Sequence, residues 1–63
     1  MTKEDLLYVM NRLLVIYKPV SALKWLLGIN AHLDNKRPID VLMDGNYNAV
    51  HAAIDAEIGG SYG

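Results

Sequence analysis

The sequence predicts an all-α fold, a small bundle of four to five short helices. Three observations carry this reading. Apolar residues recur at three- and four-residue spacing in several stretches, no segment of four or more residues alternates strictly, and proline or glycine stands at most junctions. No internal repeat appears, and the helical pieces leave no long linker between them. The chain divides into an N-terminal amphipathic helix over residues 1–18, a helical region over 19–60 and a short tail, 61–63.

The first helix has an explicit start. Thr2 can accept from the backbone N–H of Asp5 while the Asp5 carboxylate returns to Thr2 in a shortened capping box, and Glu4 and Asp5 suit the positive helix end. At about 100° per residue, Leu6, Val9, Met10, Leu13, Ile16 and Tyr17 form one stripe, which Leu7 and Leu14 widen to about half the circumference. The remaining arc holds Glu4, Asp5, Asn11, Arg12 and Lys18, with Tyr8 and Val15 among them. So wide a stripe has two readings: it is all core for a small bundle, or Leu7 and Leu14 meet a second subunit and the chain is a homo-oligomer.

Pro19 ends or kinks this helix at Lys18, because the residue before proline is pushed out of the α region. A second helix starts at Pro19 or Ser21 and runs through Leu23, Trp25, Leu26 and Leu27, with Gly28 expected as its left-handed last residue. Residues 29–35 form a polar connection in which Asn30 caps one helical turn and Leu33 points inward. Pro38 opens a third helix with Ile39, Val41, Leu42 and Met43, stopped by Asp44 and Gly45. Asn46 caps the last helix, where Tyr47, Val50, Ala53, Ile54 and Ile58 recur and the pair Gly59-Gly60 is expected to terminate it. The expected core comprises Leu6, Val9, Leu13, Ile16, Leu23, Leu26, Leu33, Leu42, Val50 and Ile54. The spacing of Trp25 places it in the core rather than on a ligand platform.

Size narrows the function. For a chain of 7.0 kDa, folding removes roughly 6,000 Å² from water, about 60% of it apolar, worth roughly 90 kcal/mol against roughly 95 for ordering the residues. The two nearly cancel. Without cysteine, the chain has neither disulfides nor thiolate zinc sites to tip that balance, which leaves a partner subunit as the remedy. A hydrophobic content of 52% and a mean hydropathy of +0.12 are high for so small a domain and argue for sticky surface. Net charge is -1, and Lys3, Arg12, Lys18, Lys24, Lys36 and Arg37 are scattered, which argues against direct binding of nucleic acid. The longest uncharged apolar run, residues 13–17, is far too short for a membrane span, and no signal-like segment opens the chain, so the expected compartment is cytoplasmic. Met1 favours a complete product over an excised domain.

The residues point away from catalysis. Thr2, Ser21 and Ser61 are the available hydroxyl nucleophiles, and capping explains the first two. His51 and Asp55, four apart, have the spacing of a metal pair or of a base and its orienter, yet two ligands make no site. His32 and Asp34 lie elsewhere, and both histidines read as structural or surface residues; Asp40, Asp44, Asp55 and Glu57 read as solvated carboxylates. No metal and no cofactor is expected. The tail segment Gly59-Gly60-Ser61-Tyr62-Gly63 is either a frayed terminus or a flexible stem bearing one amphipathic anchor.

At Ala22, Trp25-Leu26, Asn30, Leu33, Pro38-Ile39, Val41-Leu42, Gly45, Val50, Ile54 and Gly59 the chain resembles the toxin-binding domain of the Xre/MbcA/ParS antitoxins. The resemblance covers residues 20–60. It departs from the family at Asp34-Asn35, where the family places one or two glycines; Asn and Asp are the residues that best tolerate the left-handed turn in their stead. It also departs at the N-terminus, where many members carry a DNA-binding helix-turn-helix and only residues 1–19 stand here. The resemblance implies a non-enzymatic antitoxin that neutralises a RES-type, NAD-consuming toxin by covering its active-site entrance with the C-terminal region. By position that role falls to Glu57, Ile58, Gly59, Gly60, Ser61, Tyr62 and Gly63. The alternative is a small self-associating structural or adaptor domain with no toxin partner.

Overall fold

The computed structural model describes residues 2–60. Within them lie four α-helices and one 3₁₀ turn: α1 (Lys3–Ile16), α2 (Pro19–Leu27), the 3₁₀ turn (Ala31–Leu33), α3 (Pro38–Met43) and α4 (Tyr47–Gly60). The all-α expectation is met.

Each start has a local cause. Asp5 N–H donates to Thr2 Oγ1 at 3.2 Å while Thr2 N–H donates to Asp5 Oδ2 at 3.0 Å, so both halves of the capping box are present. Pro19 and Pro38 occupy the first turns of α2 and α3, where a missing N–H costs nothing. Asn46 caps α4 through a longer bond, 3.4 Å from the N–H of Ala49.

The turn between α2 and α3 is built around Asn30. Its Oδ1 accepts from His32 N–H at 2.9 Å, and its N–H donates to the carbonyl of Lys36 at 3.0 Å, closing an isolated bridge between the two residues. Asp34 and Asn35 take the left-handed conformation, φ 56° and 61°, as the sequence reading requires of them. Gly45 does the same at the end of α3, with φ 85°.

Gly28 does not. Its φ of -88° and ψ of 156° are extended, because the chain here runs straight on toward the Asn30 bridge and reverses only at Asp34 and Asn35. Glycine suits the position for a different reason: a Cβ here would sit 3.0 Å from the carbonyl oxygen of Lys24, a tight approach. Gly59 and Gly60 also depart from expectation, since α4 continues through both to the last described residue.

The core consists of Val9, Leu13, Ala22, Leu26, Leu33, Val41, Leu42, Val50, Ala53 and Ile54, closed by Pro38. Leu6 is half-buried at its edge. Ile16 and Leu23 were expected inside and are 37% and 51% exposed. Ile16 is the last residue of α1, and the next residue, Tyr17, packs against the core in its stead. In α2 the inward row is Ala22 and Leu26, one turn apart, which rotates Leu23 outward. Alanine lets the helices approach closely there and at Ala53.

Side-chain pairs show how α1 and α4 run. Tyr8 meets the His51 ring edge-on at 5.1 Å, Arg12 reaches His51 and Asp55, and Tyr17 donates to Glu57 at 2.9 Å. The partners ascend together along both helices, so these lie side by side and parallel. No helix among the described residues is long and apolar enough to cross a membrane.

Candidate functional site

The outward side of α2 is apolar. Val20, Leu23 and Leu27, spaced three and four apart, share one face and are 64%, 51% and 55% exposed. Ile29, just beyond, is exposed as well. On α1 the outward residues are Leu7, Tyr8, Asn11, Leu14 and Val15. Leu7 and Leu14 thus lie outside the core cluster, with about half of each side chain in water. The outward row of α4 is different in kind: Asn48, Ala52, Asp55 and Gly59, with no large apolar side chain.

The C-terminal positions implied by the resemblance divide. Glu57 is half-buried and accepts the Tyr17 hydroxyl, which burial and the neighbouring carboxylate hold above the usual phenol range. Ile58 packs against the core edge. Gly59 is exposed, and a Cβ there would meet nothing within 4 Å. Gly60 ends α4, and Ser61, Tyr62 and Gly63 lie outside the described residues.

His51 and Asp55 do share a helical face, and Arg12 of α1 engages both. Its Nη1 donates to His51 Nδ1 at 2.9 Å and its Nη2 to Asp55, so one guanidinium from α1 spans both side chains on α4. Arginine has only donors, so Nδ1 is the acceptor in this contact and is committed to the helix–helix seam. The His51–Asp55 spacing was legible in the sequence; Arg12, 39 residues from His51, carried no signal beyond its place on the polar arc. Among the described residues no group of three or more His, Asp or Glu side chains could hold a metal.

Elsewhere the polar chemistry is ordinary. Arg37 and Asp40 form a two-pronged ion pair, 2.7 and 2.9 Å, which holds the Asp40 carboxyl below the usual range and raises the guanidinium. Trp25 is half-buried against the core; its Nε1 is buried and has no hydrogen-bond partner among the described residues. A cleft of about 120 Å³ between the 3₁₀ turn and α4 is lined by His32, Asp34, Lys36 and Asn46. It is well below the few hundred Å³ of a usual small-molecule site. Large exposed apolar side chains on α1 and α2 are what distinguishes this surface, and such surface fits protein better than metabolite.

No protein-family model, curated protein or solved structure matches the chain.

Proposed function

We propose that the chain is a non-catalytic binding module that neutralises a partner protein, a RES-type NAD-consuming toxin, by covering its active-site entrance. The observation that carries the binding reading is the exposed apolar row Val20, Leu23 and Leu27 on α2, continued by Ile29. A row so exposed in so small a domain gains free energy by docking.

The resemblance supplies the partner class. In its support, the matching positions are the ones the fold uses: Ala22, Leu26, Asn30, Leu33, Pro38, Val41, Leu42, Val50 and Ile54 are buried, and Asp34-Asn35 make the left-handed turn. In this reading the α2 row docks on the toxin. The end of α4 from Glu57 onward, with Ser61, Tyr62 and Gly63, closes the entrance.

Co-expression with a RES-domain toxin tests this. The intact chain restores growth and cellular NAD. Deleting residues 59–63 weakens rescue while the melting temperature stays nearly the same, since the deletion removes the last two residues of α4 and no core side chain. Leu23→Glu weakens binding itself. If the truncated chain protects as well as the intact one, the covering surface is not the C-terminal segment; if neither protects, the toxin assignment is wrong.

A further inference from the structure

We propose that the chain forms a two-fold antiparallel dimer through the outward face of α1, with Leu7 and Tyr8 of each copy against Val15 and Leu14 of the other. The face is a patch of Leu7, Tyr8, Leu14 and Val15, exposed by 51%, 63%, 43% and 80%, with Asn11 in its centre. Arg12 does not charge it, because its guanidinium is drawn toward α4 by His51 and Asp55. The other helices of the chain hold the opposite side of α1 through Val9 and Leu13, and α4 reaches the patch at one edge, where the Tyr8 ring meets His51.

Charge selects the occupant and its direction. Glu4 stands exposed in the first turn of α1, and Lys18 stands exposed just past its last turn. A parallel pair of copies would set Glu4 against Glu4 and Lys18 against Lys18. An antiparallel pair sets each Glu4 against the partner's Lys18, with attraction at both ends. Within α1, Asn11 lies midway between Leu7 and Val15 and between Tyr8 and Leu14, so the two-fold axis passes beside it. There the two Asn11 amides face each other, and each can donate to and accept from the other. At about 1.5 Å rise per residue, the same register brings Leu7 to the partner's Val15 and leaves the two Leu7 side chains about 12 Å apart along the axis.

The chain has no cysteine, so introduced thiols report this geometry without background. Sedimentation across the micromolar range is expected to show a monomer–dimer equilibrium. Leu7→Glu with Leu14→Glu gives a monomer whose circular dichroism is unchanged, because neither residue is in the core. Glu4→Lys alone weakens the dimer about three- to tenfold, and adding Lys18→Glu to the same chain restores it. Under mild oxidation the double variant Leu7→Cys with Val15→Cys crosslinks rapidly, while Leu7→Cys alone crosslinks no faster than Asn48→Cys on α4. A monomer at every concentration, or a dimer that survives the double glutamate change, overturns the proposal. So does rapid crosslinking by Leu7→Cys alone, which marks a parallel pair. Toxin neutralisation is measured separately, so an intact chain that rescues growth while staying monomeric at every concentration removes this inference and leaves the functional one standing.

Discussion

Asn30 is 8% exposed, the buried polar residue of the described chain, and four hydrogen bonds converge on it. Its side-chain oxygen takes the His32 N–H, its own N–H goes to Lys36, and its carbonyl accepts from Leu33 and Asn35 at 3.0 and 2.9 Å. Only the first of these belongs to the side chain, so Asn30→Ala orphans one donor. That costs about 1–2 kcal/mol, which in a domain of this size lowers the melting temperature by roughly 5–10 °C. Asn46 is a cap of the same type, but it is exposed and its bond is 3.4 Å long. Asn46→Ala should therefore cost about half as much or less, and thermal melts of the two variants side by side check the order. If Asn46→Ala proves the more damaging, the side-chain bond of Asn30 is not what holds the turn.

At the scale of elements, the parallel seam of α1 and α4 is bounded at both ends by groups that titrate. Asp5 lies near the start, with its carboxyl held below the usual carboxylate range chiefly by the Thr2 backbone N–H, then by the Thr2 hydroxyl. A depressed acid favours the folded state above its unfolded value and loses that contribution as pH falls through the lower folded one. Stability should therefore fall below about pH 4. Tyr47, facing Asp5, and Tyr17, bonded to Glu57, are both raised above 10.0, in each case first by burial. Their contribution is complete below the unfolded value and is lost as pH rises through the folded one. Melts from pH 2 to 11 should show a plateau with both edges; Asp5→Asn should flatten the acid edge and leave the alkaline one, and an unchanged acid edge would assign it to other carboxylates. The capping box at the acid end was legible in the sequence, because its residues lie three apart. The tyrosine contacts were not: Tyr17 and Glu57 are 40 residues apart, and only packing brings them together. The same contrast holds at α2, where Pro19 announces the helix but the row that faces inward is set by Ala22, whose small side chain gives little hydrophobic signal.

For the whole molecule, the core is so small that single positions decide folding. The radius of gyration of 10.7 Å and the accessible surface of 4310 Å² match a folded monomer of this length. A typical stability of 0.05–0.15 kcal/mol per residue then amounts to about 3–9 kcal/mol in total. Leu42 is fully buried at the centre, on the helix that packs on both α2 and α4. Leu42→Ala removes buried methyl groups and leaves a cavity, costing about 2–5 kcal/mol, a large part of everything the fold has. Leu23 is chemically identical and sits on a neighbouring helix, but half of it is in water. Leu23→Ala should change stability by about 0.5 kcal/mol or less, although sequence periodicity alone ranks the two positions alike. Urea titrations of the two variants at one protein concentration separate these expectations. The Leu42 variant should be largely unfolded or have its midpoint moved far down, while the Leu23 variant should overlay the parent curve in midpoint and slope. Equal losses at both positions would mean that the α2 row is buried in solution, against its partner or a second copy, and dilution of the Leu23 variant's parent would then lower its midpoint as that contact dissociates.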